Sequence, residues 1–248
     1  MHDYVVYPLS NGRCVIPGNA AFHGGPADGY PYGCYLWLIL GGEAPVVVDT
    51  GLDDVEEMNR GAASVLKEPI TQLPSESTRA QLARFGLDPS DVGALIITHL
   101  HFDHVECMEQ FSSARIYVSG CGLAKATANN WHGSWAPGKI LRVLTDTAVD
   151  RVVDEDNTEV LPGIRTMWIG GHTPCSQAVL VETGKGLACL TGDTVSLMAN
   201  LERNQAVGVY HDLGQCYDAM KTIRKVADII LPSHEPGLQE KYPDGIGR

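Results

Sequence analysis

The seven cysteines of this 248-residue chain, Cys14, Cys34, Cys107, Cys121, Cys175, Cys189 and Cys216, include no C-x-x-C pair. Structural zinc sites favour closed, cysteine-rich tetrahedra, so that class is excluded. The count is odd and the spacing irregular, which disfavours a disulfide framework. In a reducing compartment most of these thiols are expected to be small buried apolar groups. Basic residues are also scarce. Eighteen Lys and Arg against 30 Asp and Glu give a net charge of -12. The 18 are scattered and form no patch, so nucleic acid is excluded as an expected partner. Long apolar runs are missing too. The longest, CYLWLIL at 34–40, is far too short to span a bilayer. The N-terminal MHDYVVYPLSNGR lacks a basic start followed by an apolar segment of leader length. A soluble cytoplasmic protein with no membrane partner is the expectation. No internal repeat, low-complexity tract or linker is visible, and 44% of residues are hydrophobic. A single domain over residues 1–248 with a sizeable core is the simplest organisation.

What is present is a series of short apolar runs bounded by Gly, Pro and Asp. They predict strands at 35–40, 45–51, 94–98, 115–118, 165–169, 178–182, 187–193 and 228–234. GGEA (41–44) and TGKG (183–186) supply turns between neighbouring runs. Helical patterns lie between them. One is capped by Asp53 or Asp54 and reaches to about Lys67. A second covers 77–86 and closes at Gly86. The clearest amphipathic pattern covers 215–228. The segment 120–140 reads as a short helix followed by a loop rich in Trp and Gly. The class is α/β, with sheets covered by helices.

The stretch ALIITHLHFDH, residues 94–104, carries the chemistry. His99 and His101 follow a buried strand. In extended chain, residues i and i+2 point the same way, so both imidazoles can face one point. Asp103 and His104 come where the chain must turn, and can face a second point a few ångströms away. Three more ligand types end predicted strands: His172 in IGGHTP, Asp193 in LTGDT and His234 in LPSHEP. A lone buried His is usually a satisfied core residue. Five histidines and two aspartates at strand ends are enough for two metals with one carboxylate shared. Imidazole with carboxylate suits zinc first, with manganese, iron or cobalt as alternatives.

On these residues the sequence resembles the metallo-β-lactamase fold superfamily. Its signature H-x-H-x-D-H is met by His99, His101, Asp103 and His104, and its later His, Asp and His by His172, Asp193 and His234. Asp49, in DTG, matches an early strand-end motif whose Asp is structural and stands behind the ligands. Within the superfamily the wording THLHFDH is most similar to the N-acyl homoserine lactonase group. The resemblance implies a four-layer αβ/βα sandwich, two mixed β-sheets face to face with helices outside. It assigns His99, His101 and His172 to a first metal and Asp103, His104 and His234 to a second, with Asp193 bridging. The chain departs from the pattern at several points. Val105, Glu106 and Cys107 replace small residues, Cys175 replaces the Gly of HTPG, and Ser196 stands where lactonases often carry Tyr.

The resemblance implies a dinuclear-metal hydrolase that opens a small cyclic ester, a lactone, by attack of a hydroxide bridging two divalent ions. Asp103 is the candidate catalytic acid. A cyclic amide or imide hydrolase and a glyoxalase II-like thioesterase are the alternatives. The basic C-terminal region that a glutathione thioester would need is not evident. A small molecule is the expected substrate, and a homodimer would be ordinary. Specificity is expected from NAAFHGGPADGYPYG (19–33), read as a long loop, and from NNWHGSWAPG (129–138). His23, Trp131, Trp135, Ser196 and His211 are the candidate substrate-binding residues.

Overall fold

The structure, a computed structural model, describes residues 2–127, 138–146 and 151–248. Trp131 and Trp135 therefore lie outside the described residues. Seven strands form the first sheet: β1 (Val5–Pro17), β2 (Gly29–Leu40), β3 (Val46–Val48), β4 (Glu68–Thr71), β5 (Ala94–Ile96), β6 (Arg115–Tyr117) and β7 (Val152–Val153). Their order is β4-β1-β2-β3-β5-β6-β7. The second sheet contains β8 (Glu159–Leu161), β9 (Ile164–Trp168), β10 (Gln177–Thr183), β11 (Gly186–Leu190) and β12 (Ile229–Leu231), in the order β12-β11-β10-β9-β8. Both sheets are mixed. β3, β5, β6 and β7 run parallel, whereas β4, β1, β2 and β3 pair antiparallel. β12 joins β11 in parallel at the edge of an otherwise antiparallel sheet.

Alternation along the strands builds the layers. On β2, Trp37 and Ile39 face the second sheet, meeting Val179, Val181 and Leu190 in one buried cluster. Leu36 and Leu38 point the other way, against Leu82, Val105, Ile140 and Leu144 from helices outside the sheet. On β10, Ala178 and Leu180 face Cys216, Ala219, Met220 and Ile223 of the helix Leu213–Val226. The period of two thus gives each sheet two buried faces. The result is the expected αβ/βα sandwich. Among the described residues no helix is long and apolar enough to cross a membrane.

Three expectations are corrected. The longest strand, β1, carries no clear strand pattern in its sequence, because Pro8, Asn11 and Gly12 interrupt its apolar spacing. Pro8 is tolerated because β4 pairs only with Arg13 and Val15, leaving β1 an open edge at Pro8. The register shifts between Ser10 and Gly12, where Asn11 donates to the Glu76 carbonyl at 2.8 Å. Residues 19–33 are not one loop, since Gly29–Gly33 already pair with Arg13–Pro17. The helix capped by Asp54 covers Val55–Ala62 and stops short of Lys67. Lys67 donates its backbone N–H to Val15 instead, at 2.8 Å.

Candidate metal centre

The ends of β5, β9, β11 and β12 deliver the seven predicted residues to one edge of the sandwich. Past β5 the chain stays extended, then coils into the short helix Phe102–Val105. This places His99 and His101 together and turns Asp103 and His104 to a neighbouring point. Gln177 fixes the two sheets together just below. Its N–H donates to Thr98 O at 2.9 Å and its side-chain amide to Ile97 O at 2.7 Å. His172 follows a tight turn at Gly170 and Gly171. At Gly171 φ is +81°, and a Cβ there would stand 2.8 Å from the Cys216 nitrogen. A side chain at that position would push the turn away from the helix that backs it.

Two ligand groups result. His99, His101, His172 and Asp193 bring their donor atoms within 4.8 Å of one another, as do Asp103, His104 and His234. Asp193 spans both. Its Oδ2 lies 3.7 Å from His99 Nε2 and 3.6 Å from His172 Nε2. Its Oδ1 lies 3.2 Å from His104 Nε2 and 3.0 Å from His234 Nε2. Asp103 Oδ2 is 3.6 Å from His104 Nε2 and 3.7 Å from His234 Nε2. His101 Nδ1 and His172 Nε2 converge at 3.0 Å.

The far side of four of the five rings, those of His99, His104, His172 and His234, explains this convergence. Nδ1 of His172 donates to Val209 O at 2.7 Å, and Nδ1 of His234 to Gly33 O at 2.8 Å. Nδ1 of His104 donates to Asp49 Oδ2 at 2.7 Å. The Thr98 hydroxyl donates to Asp49 Oδ2 at 2.8 Å, leaving its oxygen to accept from His99 Nδ1 at 3.1 Å. Outward N–H bonds of this kind fix the tautomer and aim the Nε2 lone pairs inward. Among the described residues, His99 Nε2, His104 Nε2 and Asp193 Oδ1 are buried without a hydrogen-bond partner. Buried polar atoms left unpaired cost about 1–3 kcal/mol each. A divalent cation would satisfy all three, and the mixed imidazole and carboxylate donors suit zinc and its neighbours.

The charges agree with that fit. Burial, followed by the nearby His104, holds His99 well below the ordinary imidazole value. Burial also lowers His172. Both are therefore neutral and able to ligate. Burial alone would lower His234 and His104 too, but Asp193 and Asp103 outweigh it. They raise His234 to about 9 and His104 well above its usual value. Burial likewise opposes ionisation of Asp193, yet His234, His104 and His99 hold its carboxyl well below the carboxylate range.

The departing residues have local explanations. Val105 is buried in the outer apolar layer. Glu106 Oε1 accepts from Lys139 Nζ at 3.0 Å, with Asp53 Oδ2 at 3.5 Å from the same nitrogen. Cys107 donates to Leu52 O at 3.1 Å. Cys175 accepts from the Leu100 N–H at 3.4 Å, and burial pushes its thiol up to about 11. Its bulk is matched by Gly122, where a Cβ would stand 1.8 Å from Cys175 Cβ. The Ser196 hydroxyl donates to the Asp193 carbonyl at 3.1 Å. His23 packs edge-on against Tyr210, centroids 5.3 Å apart. His211 is exposed, with its N–H bonded to Gly171 O and His172 O.

Two features were not legible in the sequence. Tyr32 stacks on His234 with centroids 4.7 Å apart and planes 17° apart, and its hydroxyl meets Ser196. A groove of about 360 Å³ is lined by Met58, Gly61, Ala62 and Val65 on one side and by Phe102 and Glu106 on the other. Phe102 stands between His101 and Asp103 in the chain, and no ligand residue lines the groove itself. Both features join residues distant in sequence.

The metallo-beta-lactamase superfamily model matches residues 29–234. An N-acyl homoserine lactonase of Bacillus cereus is 30% identical over 205 residues, covering 79% of this chain and 78% of the relative. A metallo-beta-lactamase domain-containing protein of Xenopus laevis is 27% identical over 184 residues, 71% of each chain. Among solved structures, an N-acyl homoserine lactone hydrolase with N-hexanoyl-L-homoserine bound at its catalytic metal center superposes with a TM-score of 0.83. It is 22% identical, over 99% of this chain and 100% of the other. At that identity the likeness speaks for the fold, whereas the family model and the Bacillus cereus relative speak for descent. The chain belongs to the metallo-beta-lactamase superfamily.

Proposed function

We propose that this chain is a dinuclear-metal hydrolase that opens the ring ester of an N-acylated lactone. The observation that carries the reading is the pair of abutting ligand groups sharing Asp193, with the buried Nε2 atoms of His99 and His104 lacking a hydrogen-bond partner. Two divalent ions, zinc foremost, would be held by His99, His101, His172 and Asp193 and by Asp103, His104, His234 and Asp193, supplying Lewis acidity and a water of lowered pKa. The ligands come from both sheets, which supports reading residues 1–248 as one hydrolase domain.

The chain's own residues supply the rest. Asp103 is the one half-buried member of the seven, so its carboxylate faces the open side of the site. It is placed to hold a proton and deliver it to the departing alkoxide oxygen of an opened ring. Tyr32 stacks on His234 and restrains that ring. The apolar groove beside Phe102 suits an acyl chain. The Bacillus cereus relative, an N-acyl homoserine lactonase, supports that substrate class. Ser196, His23 and His211 are read as bordering the substrate on the side of His172 and His234.

The test is acid release in a pH-stat with zinc-loaded protein. The panel holds short- and long-chain acyl homoserine lactones, plain γ- and δ-lactones, cyclic imides and an acyl thioester, with a chelated control. Chelator-sensitive opening of the acyl lactones is expected. Silence on every lactone with turnover of an imide or thioester would overturn the lactone reading.

A further inference from the structure

Cys14 and Cys34 belong to neither ligand group and have no role in the reaction proposed above, although the charges of Asp103 and Asp193 reach both thiols. Cys14 is on β1 and Cys34 on β2, and the register pairs Cys14 with Tyr32 and Gly12 with Cys34. Opposite residues share a sheet face, as do residues two apart along a strand. The two cysteines are thus diagonal neighbours on one face. Both side chains pack into the same small cluster with Leu52, Met58 and Ile70. There the neighbouring Cys34 thiol, ahead of the opposing effect of burial, lowers the Cys14 pKa. Cys14, with burial, raises Cys34 well above its ordinary value.

Access to the two differs. Cys34 is buried, whereas Cys14 is half-buried. Cys14 lines a cleft of about 670 Å³, together with Arg13, Tyr32 and Tyr35. A small reagent in that cleft meets Cys14 first. Other buried thiols are held differently. Cys107 contacts Leu52 O and Thr78, and Cys175 contacts Leu100 N and Thr173.

We propose that Cys14 and Cys34 form a redox-modification site, an attacking and a resolving thiol that close to a cross-strand disulfide when a low-molecular-weight disulfide enters the cleft. The Cys14 thiolate attacks one sulfur of R–S–S–R, forming Cys14–S–S–R and releasing RS⁻. Cys34 then gives up its proton and attacks the Cys14 sulfur, forming Cys14–S–S–Cys34 and releasing the second RS⁻. Both thiolates are protonated by the two protons the cysteines lost. The dithiol is oxidised by two electrons and the small disulfide is reduced to two RSH. Diagonal neighbours start with Cα atoms about 7–8 Å apart, so closing the bridge draws β1 and β2 together toward the roughly 4.4–6.8 Å that a disulfide spans. The bridge would form one residue from Gly33, whose carbonyl accepts from His234 Nδ1 and whose N–H donates to His234 O at 3.0 Å.

The test treats the zinc-loaded full chain with hydroxyethyl disulfide. Free thiols are then blocked with N-ethylmaleimide under denaturing conditions and the peptides mapped by mass. A linked Cys14–Cys34 peptide, two hydrogens lighter than the pair, is expected. Cys34→Ser should trap the mixed disulfide on Cys14, and Cys14→Ser should leave Cys34 unmodified. A stable mixed disulfide on Cys14 of the unaltered chain, with Cys34 free, would overturn the proposal. So would both cysteines remaining free, or a Cys14→Ser variant in which Cys34 reacts as fast as before.

Discussion

His104 Nδ1 stands 2.7 Å from Asp49 Oδ2, and the same carboxylate receives the Thr98 hydroxyl and, through Oδ1, the Thr98 N–H. Asp49 therefore holds both His104 and the strand end that carries His99. It does so from a left-handed backbone, φ 58°, a conformation that Asn and Asp tolerate better than most residues. Asp49→Asn should keep the fold and remove the charge behind His104. We expect metal affinity at the His104 group to fall about 10–100-fold, read by chelator competition. An unchanged affinity would mean that Asp49 only shapes the turn.

Metal stoichiometry separates the two ligand groups. The full chain should bind two divalent ions, measured by plasma mass spectrometry after dialysis. His234→Ala should retain one, because His99, His101, His172 and Asp193 remain. Asp193→Ala should weaken both sites and reduce hydrolysis by about 100-fold or more, since ligand loss commonly exceeds the cost of losing an outer partner. One ion in the unaltered chain would sink the dinuclear reading.

Protons compete with metal at His234. Its folded pKa is raised to about 9, above the ordinary imidazole value of about 6.5. In metal-free protein the stabilisation from that proton is full below pH 6.5 and is lost as pH rises through 9. A metal must displace the same proton. Zinc binding at pH 7.5 should release protons, and affinity should climb toward pH 9. Calorimetry in two buffers of different ionisation enthalpy measures the release, and equal heats after correction for zero protons would contradict it.

The groove beside Phe102 can be filled from one position. A Cβ at Gly61 meets no atom within 4 Å, and Gly61 lines the groove from within the helix Val55–Ala62. Gly61→Phe should fold as well as the parent, because Gly costs about 1 kcal/mol in a helix interior. It should raise KM for long-chain acyl lactones roughly tenfold or more, given about 0.8 kcal/mol per buried methylene. Short-chain KM should barely move. Equal effects on both chain lengths would place the acyl chain elsewhere.

The sequence by itself determined the fold class and the seven convergent residues. Short apolar runs with ligand types at their ends are a local pattern, and the strand period of two aims His99 and His101 together without tertiary help. The helix Leu213–Val226 and the cap at Asp54 were legible for the same reason. Tertiary structure decided the rest. β1 has Pro8, Asn11 and Gly12 within it and is held by pairing to β2, so its strand character comes from a partner rather than from its own pattern. The stacking of Tyr32 on His234, the groove between Gly61 and Phe102, and the Cys14–Cys34 contact each join side chains from separate segments. Such contacts depend on register and sheet packing, which no local spacing encodes.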